Sequence, residues 1–302
     1  MDDTILIGTQ QSLLKLSPVE GSDLAGHMVT ALARGDRRWW AILDGQRIVV
    51  ERDGSWTEAA PLTDGVATCL APSEGGLLVG TDGAHLYRLA GGCLTRVEGF
   101  ESVAERETWY TPWGDPADTR SLTVDRAGAV YVNVHVGGVV RSTDGERSWR
   151  PTLDIEMDVH QVLAHPSRPG HVFAASAVGL AITEDGGETW RTVSDGLHAT
   201  YMRAVAVTDD AVLVSVSTGP GGRRSALYRR PLAGGGFERC RKGLPQWFGD
   251  NVDTHCLVAR GQTVVLGTED GRVFASADGG RSFGLAAKGL PPVRCVALAE
   301  AG

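Results

Sequence analysis

Apolar and polar residues alternate in short runs along most of the chain, and the runs stop at glycine-bearing turns. The clearest are Val130–Val140, Val172–Ile182 and Val264–Ala275. A period of two sends successive side chains to opposite faces, the pattern of a half-buried strand. Each run leads into an Asp-Gly turn, a dipeptide that accepts the left-handed backbone of a tight hairpin. The turns lie in three related octets, Ser142–Trp149 (STDGERSW), Thr183–Trp190 (TEDGGETW) and Ser276–Phe283 (SADGGRSF), and in a worn copy, RDGSW, ending at Trp56. No stretch of helical period competes.

Extending the octets outward gives a larger unit: a short apolar strand, a strand that often ends in Gly-Thr, a third strand, then the Asp-Gly turn. The Gly-Thr pairs are plain at Gly80-Thr81 and Gly267-Thr268. The chain opens partway through such a unit, with ILIGTQQSLLKL, and closes on a lone strand, Val293–Ala299, that supplies the missing piece. Seven units share 302 residues, about 43 each, the length of a four-stranded propeller blade. The expectation is all-β: one domain, residues 1–302, forming a seven-bladed β-propeller of four-stranded antiparallel blades. Its first blade is closed by the N- and C-terminal strands, which removes the open edges. Segments 101–119 and 241–254 are read as insertions over the mouth of the central channel.

The octets resemble the Asp-box, or BNR, repeat of sialidase-like propellers and of the wider WD40/YVTN/BNR-like group. That group includes photosystem assembly factors, sortilin-type receptors and xyloglucanases. The octet at 142–149 departs from the repeat by carrying Glu146 where glycine is usual. The resemblance implies a structural role for the motif. Asp144, Asp185 and Asp278 accept backbone N–H groups within the turn, and Trp149, Trp190 and Phe283 pack between blades.

Composition narrows the function classes. Glycine at 40 residues suits a chain made of turns, and a formal charge of −8 argues against a nucleic-acid partner. No window approaches the roughly 18 apolar residues of a membrane span. The N-terminus, MDDTILIGT, is acidic and runs straight into a strand-like segment, which is not the form of a signal peptide. Five scattered cysteines without CxxC spacing read as reduced, mostly buried thiols. The expectation is a cytoplasmic monomer.

Candidate chemistry emerges when the seven innermost strands are superimposed. One register carries Thr30, Thr68, Arg120, His160, Arg203, His255 and Arg294; two residues earlier stand Asp118, Asp158, Tyr201 and Asp253. A structural strand start has no need of three arginines and two histidines at equivalent positions. They are read as a polar pocket at the channel mouth or as a self-neutralised ion-pair ring. In the first reading Arg120, Arg203 and Arg294, with Thr30 and Thr68, hold a small anionic or polar ligand. His160, His255, Asp118, Asp253 and Tyr201 are then the catalytic groups. His135, His160, His198 and His255 are the candidate ligands of a divalent transition metal. Trp109, Tyr110 and Trp113 on the first insertion are candidate apolar walls or a small satellite core. His27, His85, His165 and His171 are read as solvent-facing or turn-capping.

The leading expectation is therefore a hydrolase- or lyase-like protein acting on a small polar or anionic molecule, with metal assistance as an option. The alternative is a non-catalytic scaffold for protein–protein assembly. A sialidase-like glycosidase is a third reading, in which the arginines mimic a triad and Tyr201 the nucleophile. Seven blades and the absence of a glutamate two positions from Tyr201 set the chain apart from that group.

Overall fold

The computed structural model describes residues 4–16, 21–35 and 37–299. Among them the alternating runs form seven four-stranded antiparallel sheets, the blades of a β-propeller. In blade one the strand Val293–Ala299 pairs with Thr4–Thr9, which pairs onward to Leu13–Leu16 and Gly21–Asp23. Blade two starts at the strand Val29–Gly35, blade three at Ala67–Ser73 and blade four at Thr119–Val124. Blade five starts at Val159–Ala164, blade six at Tyr201–Val207 and blade seven at Leu257–Arg260. Among the described residues helix is confined to one turn at Glu98–Glu101 and three 3-10 turns, at Asp82–Ala84, Arg106–Thr108 and Ile155–Met157. The first insertion thus carries local helical turns where the sequence suggested plain loop. None of these helices is long and apolar enough to cross a membrane.

The chain divides into two compact units. One comprises Met1–Val29, Ala175–Leu180 and Val193–Gly302; the other comprises Thr30–Ala174 and Ala181–Thr192. Each has an apolar core drawn from the inward face of its strands. In the first, Ile7, Leu213, Leu227, Leu266, Phe274 and Val293 pack together. In the second, Leu78, Leu86, Phe100, Val132 and Val140 do so. Burying each such side chain contributes about 1.5–3 kcal/mol.

The Gly-Thr pairs have a packing cause. A Cβ on Gly80 would lie 2.4 Å from Thr119 Cγ2 and 2.6 Å from Cys69 Sγ; on Gly8 it would meet Cys295 Sγ, and on Gly267 the Val293 side chain. Glycine is the residue that lets the neighbouring innermost strand approach. The threonine that follows closes the hairpin: Thr9 Oγ1 donates to the Ser12 carbonyl at 2.9 Å and Thr268 Oγ1 to that of Arg272 at 3.0 Å.

The sulfurs at these contacts tie one blade to the next. Cys69 Sγ donates to the Thr119 carbonyl at 3.5 Å, Cys256 to Val293 at 3.6 Å and Cys295 to Val29 at 3.5 Å. Burial pushes the thiols of Cys69 and Cys295 up to about 12, so they remain protonated donors. Cys93 alone is exposed.

Side-chain hydrogen bonds hold the octet turns. Asp278 Oδ1 accepts the backbone N–H groups of Arg281 and Ser282 at 3.0 and 2.9 Å and the Ser276 hydroxyl at 2.7 Å. Asp144 and Asp185 make equivalent bonds, with Ser148 and Thr189 donating to the second carboxylate oxygen at 2.6 Å. The hydrogen bonds from Ser148 hold the Asp144 carboxyl down to about 2. Trp149 stands edge-on to Phe100 at 5.2 Å, Trp190 packs on the blade-five core and Phe283 is buried. Glu146, at the irregular position, has φ 64° and pairs with Arg88 of the neighbouring blade.

Candidate functional site

Antiparallel pairing places the start of each blade's first strand, the turn between its second and third strands, and the segment entering from the preceding blade at one end of the blade. Two of the loops at that end of blades four and five carry His135 and Asp158. His135 lies in the turn between Val130–Val134 and Gly138–Ser142, where Val136 adopts φ 44°. Asp158 follows the 3-10 turn Ile155–Met157 and itself adopts φ 48°. A left-handed backbone at a non-glycine residue costs of the order of 1–3 kcal/mol and is found where a side chain must be aimed. His160 is the second residue of its strand and is fully buried.

These three residues converge. His135 Nε2 lies 3.1 Å from Asp158 Oδ1, and His160 Nε2 lies 3.7 Å from the same oxygen. The two imidazole centroids are 5.9 Å apart. Asp158 Oδ1 and His135 Nδ1 are buried and receive no hydrogen bond of good geometry. Burial pushes the Asp158 carboxyl up, but the imidazoles of His135 and His160 and the Arg120 guanidinium together bring it below its usual range. Burial holds Asp118 above its usual range, against the pull of Arg120 and His135, with Asp82 and Asp115 adding to the rise.

The sequence register takes on a specific meaning here. In three blades the ladder slips at its position: Thr68, Arg120 and Arg294 each stand as the extra residue between two paired neighbours. In blade six the slip spans Arg203 and Ala204. A β-bulge frees one residue from the ladder and re-aims its side chain. Because of this, and because Asp118, Asp158 and Asp253 precede the strands, the expected shared strand face does not exist. His255 departs further: it lies before its strand in a turn, with φ 69°.

Other expectations are corrected by local contacts. Among the described residues, His135, Asp158 and His160 are the one group with metal-ligand spacing. His198 belongs elsewhere: its Nδ1 lies 2.8 Å from the Tyr228 hydroxyl and its ring 5.0 Å from that of Trp247. Trp109 is not a ligand wall, because it is buried against Phe100 at 5.7 Å and lies in the apolar core. Trp113, four residues on, is 60% exposed with its ring 4.9 Å from His135, and Tyr110 is 44% exposed. Thr68 donates its hydroxyl to the Thr119 carbonyl and serves as a tie between blades. Thr30 keeps a buried hydroxyl oxygen without a partner.

The arginines of the other unit are engaged locally. Arg294 makes a two-pronged contact with Glu269, at 2.7 and 3.2 Å. Arg203 lies 3.5 Å from Asp253 and 5.4 Å above the Tyr201 ring. Glu269 was missed because it lies on the turn after a second strand, outside the register used for comparison. Two further histidines, His165 and His171, are buried and stacked at 5.3 Å rather than facing solvent.

No family model matches the chain, and no curated protein matches it. Solved structures do. YCF48 from Cyanidioschyzon merolae is 16% identical with a TM-score of 0.62, over 92% of this chain and 89% of that one. A further YCF48 structure, bound to D1 peptide, is 14% identical with a TM-score of 0.59, over 93% and 88%. The GH74 xyloglucanase from Xanthomonas campestris is 16% identical with a TM-score of 0.62; it is matched over 92% of this chain but 46% of its own. The WD40 β-propeller domain of Doa1 is 13% identical with a TM-score of 0.59, over 92% and 83%. At these identities the likeness is one of fold, and its members include both non-catalytic propellers and glycoside hydrolases.

Proposed function

We propose that the end of blades four and five binds and activates a small polar or anionic molecule at a divalent transition metal held by His135, Asp158 and His160. The observation that carries this reading is the convergence of two imidazole nitrogens on one buried carboxylate oxygen. Ligands at about 2.0–2.2 Å from a shared ion stand roughly 3.0–3.5 Å from one another. The observed 3.1 and 3.7 Å lie near that range, and the three ligand atoms all stand within 4.8 Å of one another. Two histidines and a carboxylate on one side of an ion leave the remaining positions open to water or a ligand.

A metal held there would supply a Lewis acid for an oxygen-bearing ligand. The protein's own groups would do the rest. Arg120 offers a planar fork to an anionic group, and Asp118, with its raised proton affinity, suits proton transfer. Trp113 gives the ligand an apolar wall beside His135. The chemistry is that of a hydrolase or lyase. The octets at 142, 183 and 276 support placing the chain with the Asp-box propellers, where the motif builds the fold. A peptide partner is the second reading, favoured by the exposed Tyr110 and Trp113 on the same insertion.

Cobalt(II) titration followed by visible absorption tests the proposal. One equivalent should bind, with the intense d–d bands of a low-coordinate site. H135A and H160A should weaken binding by at least a hundredfold while leaving the folded spectrum intact. Equal cobalt affinity in wild type and both variants would overturn the reading.

A further inference from the structure

The other unit carries a cluster that the metal site does not use. Trp247, on the insertion before blade seven, is half-buried and holds two guanidiniums against its ring: Arg239 lies 3.8 Å from the ring centroid and Arg224 4.9 Å. Both arginines act on one ring, so their charged carbons are no more than about 9 Å apart. His198 stands 5.0 Å from the same ring and is fixed through Tyr228.

Arg239 Nε is buried and has no hydrogen-bond partner. Burial holds the guanidinium's proton affinity below its usual level; Tyr228 opposes that, while Arg241 and Arg224 add to it, and no carboxylate is among the groups acting on it. Like charges thus crowd Arg239 in a chain of formal charge −8. Stacking on an indole face leaves the in-plane N–H donors of each guanidinium free for a ligand. Two forks select the ligand class. One carboxylate fills a single fork, whereas a phosphoryl group has oxygens for both.

We infer that Arg224 and Arg239, braced on Trp247, form a binding site for a phosphoryl group, either free phosphate or the terminal phosphate of an ester. Arg239 lies on the strand Glu238–Arg239, and the loops that carry Arg224 and Trp247 are already joined. Asn251 Nδ2 donates to the Pro220 carbonyl at 3.1 Å, and the Phe248 N–H to that of Ser225 at 2.9 Å, so little ordering accompanies binding.

The test is calorimetry and tryptophan fluorescence with inorganic phosphate and with phenyl phosphate, ionic strength being held constant with sodium chloride. Wild type should bind one equivalent, with a saturable fluorescence change that W247F loses. R239Q and the exposed-site variant R224Q should each weaken binding at least tenfold. Tighter binding of phenyl phosphate supports an ester ligand, and equal affinity supports the free oxyanion. Phosphate responses that are identical in wild type, R224Q and R239Q, or that sodium chloride reproduces, would overturn the site. H135A and H160A should leave phosphate binding unchanged, so this inference and the metal reading fail independently.

Discussion

The buried pair His165 and His171 makes stability depend on pH in a defined window. The His165 ring is 5% exposed and its Nδ1 accepts the Ser167 N–H at 3.1 Å, while Nε2 is buried without a partner. Protonation would turn Nδ1 into a donor facing another donor. Burial, with His171 and Arg168 adding repulsion, pulls the His165 imidazole from 6.5 down to about 4. His171 shifts the same way, mainly through burial and against the pull of Glu184. For a base with a lowered folded value, the unfolded chain binds a proton that the native state refuses between the two values. Stability is therefore complete above about pH 6.5 and falls as pH drops towards 4.

The full shift corresponds to roughly 3 kcal/mol, and at pH 5 to about 2 kcal/mol. Solvent at the edge of this loop halves that, leaving about 1 kcal/mol. Urea unfolding at pH 7.5 and pH 5.0, where most carboxylates are still ionised, measures it directly. Wild type should lose about 1 kcal/mol more between the two conditions than His165→Gln, whose side-chain oxygen can still accept from Ser167. An equal loss in both proteins would refute the argument that this imidazole is held neutral.

Two further outcomes follow from packing. Gly80→Ala should destabilise by about 1–3 kcal/mol through overpacking, read as a lower urea midpoint, with partial recovery when Cys69→Ala removes the sulfur it strikes. An unchanged midpoint would remove the packing account of the Gly-Thr repeat. Trp109→Ala should cost about 3–5 kcal/mol, whereas Trp113→Ala should change stability by less than about 0.5 kcal/mol and weaken ligand binding to the cobalt-loaded protein.

The blade architecture was open to reading because its signals are local: alternation, Asp-Gly turns and Gly-Thr pairs each act within a few residues. The site was legible only in part. Equivalent positions such as Arg120 and His160 could be aligned by counting along strands, but counting gives the end of a blade and not which neighbours share a pocket. That is why His198 and His255 were grouped with His135. The bulges also break the two-residue face rule at the register that was aligned. Trp109 and Trp113 have the same chemistry in one short loop, and burial separates them through tertiary contacts that no spacing encodes. For His171 a signal existed: it stands directly before Val172–Ser176, a strand that is buried on both sides, and two residues before Phe173.

The slipped register at Thr68, Arg120 and Arg294 has an evolutionary consequence. A residue outside the ladder contributes little to strand pairing, so its exchange leaves the alternation of the blade undisturbed. Each such blade therefore offers one address where new side chains can be tried at small cost to strand pairing. A propeller built this way can vary the side chains at one end of its blades by editing single letters, while the repeats that hold it together stay as they are.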